Sequence, residues 1–331
     1  MTRRLKVLFL PPKEEGRDHL QRDVVAAVGP KHDLRVFDRN APLAPQFAGV
    51  EVVIDEGGSQ GTREMADAAT STKLWQILGS GFDKFDLTYW GTKAIPVANC
   101  PGQFSAIALA ECALMFMLML SRGWNESQRN LKAGIFYKPL GMELGNRRLT
   151  LIGFGGSGRE LARLAKTFGM QTSAIDVRDI SVDEQRQFGL SFAGKPQDMD
   201  QTISEADFLS LHLHLNNETR HIIDRRRLGL MKPTAFLVNV ARGALVDEEA
   251  LHSVLSASLL AGAGLDVFGT EPITADRPLL RLPNVIATPH FSGGTDGTSR
   301  RRAVCAADNV DRVAAGLEPL YRIDKLGQIQ A

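Results

Sequence analysis

The sequence predicts an α/β protein built on parallel sheets. Three observations predict it. Short apolar strands alternate with helical stretches between residues 6 and 78. A strand, a glycine loop, a helix and a second strand then follow as one unit at 148–176. Beyond that unit, further apolar strands end one after another on polar or charged residues. With 331 residues the chain has room for about two domains.

Lys6-Val7-Leu8-Phe9-Leu10 reads as the first strand, followed by a helix over 17–28 and strands at 34–37, 50–54 and 74–78. The glycine-rich loop at 55–61 is not followed by Gly-Lys-Ser/Thr, so it is given no phosphate role. Gly79-Ser80-Gly81-Phe82-Asp83 leaves a strand end, and its open amides can form a nest for a carboxylate. Asn99-Cys100-Pro101-Gly102 turns into a long apolar helix over 105–122. Glu111 interrupts that helix, which falls short of the roughly 20 residues a membrane span needs. Its Met115, Met117 and Met119 read as core packing. The stretch 123–147 reads as polar and irregular, with Trp124, Phe136 and Tyr137 suited to an arm against another subunit.

The central unit opens with the strand Arg148-Leu149-Thr150-Leu151-Ile152 and the loop Gly153-Phe154-Gly155-Gly156-Ser157-Gly158. Leu161, Leu164, Ala165 and Phe168 recur at helical spacing, Gly169 stops the helix, and the strand 172–175 ends on Asp176. Gly153 permits the tight turn, Gly155 lets backbone approach a pyrophosphate, and Gly158 lets helix pack closely on strand. The helix N-terminus presents free N–H groups to the phosphates. Asp176 stands where a carboxylate accepts from ribose hydroxyls. Glycine pattern, flanking elements and acid together indicate a Rossmann-type doubly wound sheet that binds a dinucleotide. Asp176 favours NAD because it repels the 2′-phosphate of NADP; Arg178, two residues on, works the other way.

The stretch 206–215 reads as a strand with His212 and His214 on one face, but no third ligand has suitable spacing and no metal site is expected. Asp224 reads as the cap of a helix to 231. A buried strand at 236–240 runs into Ala241-Arg242-Gly243, a helix covers 248–260, and strands at 263–267 and 285–290 precede a last helix at 296–315. In a doubly wound sheet these strand ends face one crevice. They bring Arg242, Asp266 and His290 there, with Glu271 close behind Asp266. Arg242 can grip a carboxylate with its planar fork and polarise the neighbouring carbonyl. His290 can pass a proton to or from a substrate oxygen, and Glu271 can hold the imidazole. Singly, each has a plainer reading as a surface ion-pair partner, a turn acid or a cap. Together, on strand ends of one cofactor domain, they form a kit for reducing a 2-keto acid.

Bulk composition narrows the classes. Hydrophobic content of 44% suits a full globular core, and a net charge of +1 argues against a general nucleic-acid or membrane binder. The basic runs 225–227 and 300–302 read as solvated faces. Three cysteines without a C-x-x-C pair point to a reduced, cytoplasmic setting.

Over nearly its whole length the chain resembles the D-isomer-specific 2-hydroxyacid dehydrogenases. The matching stretches are Gly79-Ser80-Gly81-Phe82-Asp83, Pro101-Gly102 with Ala110-Glu111, the fingerprint at 153–176, and Asn239-Val240-Ala241-Arg242-Gly243. Leu265-Asp266-Val267-Phe268 with Glu271-Pro272, and Thr288-Pro289-His290, complete them. The resemblance implies that Arg242, Glu271 and His290 are catalytic. It implies that Ser80 and Gly81 join Arg242 and His290 on substrate. For the cofactor it adds Ser80, Ser157, Leu213, Val240, Asp266 and Gly293 to the fingerprint glycines (Gly156 included), Asp176, Arg242 and His290.

The same resemblance implies a smaller flavodoxin-like substrate domain at 1–102 and 295–331. The NAD-binding domain, 103–294, is inserted into it and forms a homodimer. Substrate is then expected in the cleft, with closure about the long helix. Gly156 stands where the family carries a larger polar residue, so one phosphate contact is lost or taken over by backbone. His214 stands where a proline is usual. Ile77 replaces an arginine that phosphoglycerate dehydrogenases tend to have, which points away from that phosphorylated substrate. The rival reading is an NAD-sensing binding protein like the corepressors that share the fold; turnover of a small keto acid separates the two.

Overall fold

The computed structural model describes residues 3–12, 18–56, 61–82 and 85–325. The helix start expected at 17, most of the glycine-rich loop at 55–61, and Asp83 of the glycine nest lie outside the described residues. The chain forms two compact units, one of Met1–Ser105 with Gly294–Ala331 and one of Ala106–Gly293.

In the first unit, strands β1 (Lys6–Leu10), β2 (Asp33–Val36), β3 (Val52–Asp55), β4 (Leu74–Ile77) and β5 (Val97–Ala98) form a parallel sheet ordered β2-β1-β3-β4-β5. That is the flavodoxin-like order. Strands β3 and β4 are buried along their whole length, as continuous apolar runs in a parallel sheet must be when both faces are covered. The helix Asp18–Val28 buries Leu20, Val24 and Val28, four residues apart. Val24 and Val28 share a core with Ala303, Ala306 and Val310 of the helix Asp296–Ala314. The C-terminal segment thus completes the unit that the N-terminus begins.

In the second unit, β6 (Arg148–Ile152), β7 (Gln171–Ile175), β8 (Leu190–Gly194), β9 (Phe208–Leu211), β10 (Phe236–Asn239), β11 (Gly262–Leu265) and β12 (Val285–Ala287) are all parallel. Their order is β12-β11-β10-β9-β6-β7-β8. The chain winds outward from β6 through β7 and β8, then returns to start β9 on the other side of β6. This reversal is the topological switch point, where ligands bind at the carboxyl ends of the strands. The long helix Ala106–Ser121 buries Ala110, Ala113, Phe116, Met117 and Leu120 in the core on one face of the sheet. Met115 and Met119 pack against that core, as their core reading requires. No single helix among the described residues is long and apolar enough to cross a membrane.

Some expectations fail at specific places. The stretch expected to be irregular contains the helix Trp124–Lys132, whose only apolar residues, Trp124 and Leu131, are both exposed, too few to make a run that reads as a core-facing helix. The strand expected over 206–215 ends at Leu211, so His212 and His214 lie past it and strand alternation does not align them. Strand β8 and the helices Val182–Phe188 and Met199–Glu205 were not legible.

Candidate active site

Parallel pairing places every strand's carboxyl end on one edge of the second sheet, and the candidate residues follow those ends in turn. At β6 the chain turns at Gly153, whose φ of 95° lies in the left-handed region. A Cβ there would stand 2.5 Å from the His212 carbonyl oxygen and 3.0 Å from Leu213 Cδ2, so the loop lies directly against the segment after β9. A Cβ on Gly158 would meet the Gly153 carbonyl oxygen at 2.4 Å, which fixes how closely the helix Gly156–Thr167 rides on the loop. A Cβ on Gly155, by contrast, would meet nothing within 4 Å, and this glycine is exposed. No side chain caps the helix at Gly155. Its first amides, Gly156 and Ser157 among them, are thus presented beside open backbone, a cradle that fits a pyrophosphate.

Asp176 follows β7 and faces the same loop. Its Oδ2 accepts from the Phe154 amide at 2.6 Å and its Oδ1 from the Arg178 amide at 3.0 Å. Each oxygen keeps lone-pair capacity for a ribose hydroxyl. Arg178 is committed elsewhere: Nη1 donates to Glu184 Oε2 at 2.9 Å and Nη2 to the Phe154 carbonyl at 2.9 Å.

Ser157 has a role that its place in the glycine loop did not reveal. Its hydroxyl lies 2.9 Å from His212 Nδ1, and Ser210 Oγ lies 2.9 Å from His212 Nε2. Burial pushes the His212 pKa down to about 3, so the imidazole is neutral and joins β9 to the loop helix with one nitrogen donating and the other accepting. Among the described residues no group of His, Cys, Asp and Glu could hold a metal ion.

Arg242 follows β10 on a short loop that Asn239 organises. The Asn239 side chain donates to the Arg242 carbonyl at 2.9 Å and accepts from the Ala241 amide at 3.1 Å. Gly243 then docks on the next loop: a Cβ there would lie 1.9 Å from the Phe268 carbonyl carbon and 2.4 Å from the Gly269 amide nitrogen. Arg242 is thereby set against the peptide segment that carries Glu271. Gly243→Ala is expected to destabilise the protein by about 1–3 kcal/mol, through backbone displacement, and to lower kcat with it. A thermal melt and steady-state kinetics check this; unchanged values would show the two loops to be independent.

Asp266, fully buried after β11, is the hub of the remaining geometry. Its Oδ1 accepts from Thr288 Oγ1 at 2.6 Å and the Phe291 amide at 2.8 Å, and its Oδ2 from the Ser292 amide at 2.9 Å. The His290 amide donates to the Asp266 carbonyl at 2.8 Å. His290 itself has φ of 53°, a left-handed conformation unusual for a residue with a side chain, and these bonds hold it there. Its Nδ1 lies 2.8 Å from Glu271 Oε2, while Glu271 Oε1 accepts from the Phe268 amide at 2.9 Å. A carboxylate only accepts, so Nδ1 carries the proton and Nε2 is the atom turned to chemistry.

The second unit thus carries Arg242, Glu271, His290, Asp266, Asp176 and the glycine loop on one sheet edge, with Leu213 over Gly153, Val240 buried after β10, and Gly293 closing the segment after His290. Ser80 and Gly81 belong to the first unit, after β4, where the Asn99 side chain donates to the Ser80 carbonyl at 2.9 Å. Sequence reasoning did not single out Asn239, Ser157, His212 or Glu184 as positioning groups. The i to i+3 relation of Asn239 to Arg242 was the signal for Asn239, and the Ser181-x-x-Glu184 capping pattern the signal for Glu184.

A family model described as D-isomer specific 2-hydroxyacid dehydrogenase, NAD binding domain, matches residues 114–292. The chain is 37% identical over 291 residues to a hydroxypyruvate reductase of Thermotoga maritima, covering 86% of this chain and 92% of that protein. It is 35% identical over 282 residues to an (S)-sulfolactate dehydrogenase of Chromohalobacter salexigens, covering 85% and 90%. Among solved structures, D-lactate dehydrogenase with NAD+ from Lactobacillus jensenii superposes with a TM-score of 0.81 at 25% identity, covering 96% of this chain and 99% of that one.

Proposed function

The chain belongs to the D-isomer specific 2-hydroxyacid dehydrogenase family and is an NAD-dependent oxidoreductase, and from that premise we propose how its own residues carry the reaction. The observation that supports the assignment most is the Glu271–His290 pair, joined at 2.8 Å on the same sheet edge as the glycine loop. Bound at that loop, NAD supplies the hydride acceptor or donor. Arg242 grips the substrate carboxylate and polarises its C2 carbonyl. His290 delivers a proton from Nε2 to the carbonyl oxygen in reduction and removes it in oxidation. Glu271 orients the ring through Nδ1, and Asp266 anchors the backbone on which His290 stands. Ser80 and Gly81 amides are assigned to substrate, and Ser80 also to cofactor.

The substrate class is a short D-2-hydroxy acid and its 2-keto acid, in keeping with the names of the relatives. Turnover with NADH on a panel of glyoxylate, hydroxypyruvate, pyruvate, phenylpyruvate and 3-phosphohydroxypyruvate tests it. The unphosphorylated acids should lead, because the buried Ile77 supplies no cation for a phosphate. No turnover on any of the five would overturn the reading. The corepressor-type sensor is not favoured, since these relatives are named reductases and dehydrogenases.

Asp176 should make NADH preferred over NADPH by at least ~10-fold in kcat/KM, because a 2′-phosphate would be pressed against its carboxylate. Equal values for the two would contradict that placement. A homodimer is supported by the exposed apolar side chains of the second unit between Trp124 and Leu140: Leu131, Ile135, Phe136, Tyr137 and Leu140, the last two fully open to solvent. Sedimentation of the parent and of Phe136→Asp/Leu140→Asp would detect it as a loss of the dimer. Cys100, Cys112 and Cys305 are all free and buried, in keeping with a cytoplasmic protein.

A further inference from the structure

We propose that Glu184 sets the dinucleotide preference from one layer behind Asp176, by holding two arginines away from the place a 2′-phosphate would take. The inference rests on the NAD reading above. Glu184 lies in the first turn of the helix Val182–Phe188 and reaches back toward the glycine loop. Its Oε1 accepts from Arg159 Nη2 at 2.6 Å and its Oε2 from Arg178 Nη1 at 2.9 Å. Both guanidinium groups lie near the Phe154 ring, at 6.0 and 5.7 Å from its centroid. Arg178 Nη2 also donates to the Phe154 carbonyl, whose residue's amide binds Asp176. The two arginines therefore stand at Phe154, the residue before Gly155, whose amide binds the carboxylate assigned to the ribose.

Both guanidinium groups bind Glu184, and Asp176, held by the Phe154 and Arg178 amides, adds a second carboxylate, so the local sum of charge is near zero. Those two cations would otherwise form a charged fork for a phosphate, the strongest recognition a protein offers that group. With Glu184 in place, a 2′-phosphate meets arginines already bound to a carboxylate, beside the Asp176 carboxylate. The arginines hold the Glu184 carboxyl below the usual carboxylate range, Arg178 foremost, so its charge persists at neutral pH. Arg159 Nε is enclosed and has no hydrogen-bond partner among the described residues. The outer end of Arg159 is thus held by Glu184 rather than by a full set of bonds, and it is released when that carboxylate is neutralised. Asp176 touches the ribose hydroxyls themselves; Glu184 acts through the arginines, as a positioning residue.

The test is Glu184→Gln, which keeps the capping box with Ser181, since glutamine serves in it as well as glutamate. Binding is read by calorimetry with 2′,5′-ADP and 5′-AMP, and by nucleotide fluorescence with NADPH and NADH. In the variant, affinity for 2′,5′-ADP and NADPH should rise at least ~10-fold, while 5′-AMP and NADH stay within about 2-fold of the parent. Adding Arg178→Gln and Arg159→Gln should erase the gain. Asp176→Ala should differ in kind, weakening NADH as it strengthens NADPH. If the parent binds NADH and Glu184→Gln gains nothing for the 2′-phosphate ligands, the inference is wrong and the NAD assignment stands. If the parent binds neither dinucleotide, the assignment itself fails. Should Glu184→Gln lose its melting transition, Glu184→Ala with Ser181→Asp, which caps the helix independently, carries the same expectation.

Discussion

His290→Ala is expected to lower kcat for keto-acid reduction by roughly 10²-fold or more, the ordinary worth of a placed general acid. The reason lies in three contacts. The ring is turned by Glu271 at Nδ1, the backbone is held by Asp266, and the left-handed φ of 53° keeps Nε2 clear of both. Alanine removes the proton carrier and leaves the hub intact, because the Asp266 bonds go to backbone amides and to Thr288. The melting temperature should therefore change little. Reduction needs a proton on the ring and oxidation needs a ring that can take one, so both directions should be slowed together in His290→Ala. Glu271→Gln keeps the bond from the Phe268 amide and loses the charge on the ring's partner, and it should cost roughly 10-fold. A kcat for His290→Ala close to the parent's in both directions would move the acid–base role to another group.

How much of this was legible follows from the physics of each element. The glycine loop announces itself because three backbone demands converge on one short stretch: a left-handed turn at Gly153, open approach at Gly155 and close packing at Gly158. Arg242, Asp266 and His290 are legible because parallel strands deliver their carboxyl ends to one edge, so a polar residue after an apolar run is already placed. Strand β8 was missed because it pairs on one side only, with β7, and buries none of its residues fully, which leaves no period to read. The helix Trp124–Lys132 is not legible because two exposed apolar residues, Trp124 and Leu131, are all it offers to a periodicity reading. His212 was misread because alternation was carried past Leu211, where the chain leaves the sheet to meet Ser157. The role of Glu184 was invisible for a different reason. Its capping box with Ser181 is a local pattern, but its two arginines stand 6 and 25 residues away in sequence, and tertiary structure alone brings them to it.

Arg242→Lys should lower kcat/KM for the keto acid by about 10²-fold, through both a smaller kcat and a larger KM, while leaving NADH binding near the parent value. Lysine keeps the charge, so a role limited to attraction of an anion would survive the change. What it loses is the planar fork that, in the role proposed for Arg242, binds a carboxylate with two parallel bonds and still offers an N–H to the C2 oxygen. That second task matters most as negative charge develops on the oxygen, which is why kcat falls and not KM alone. The backbone around position 242 should be untouched, because Asn239 holds it through the Arg242 carbonyl and the Ala241 amide, and Gly243 docks it on Phe268. One local bond, from Arg242 Nη1 to the Ala241 carbonyl at 2.8 Å, is within a lysine's reach as well. A melting temperature equal to the parent's would therefore accompany the kinetic loss. Saturation kinetics in keto acid at fixed NADH, beside a direct NADH titration, separates the two contributions. If the variant turned over keto acid as the parent does, the guanidinium would be a structural group of the loop and the carboxylate grip would have to come from another residue.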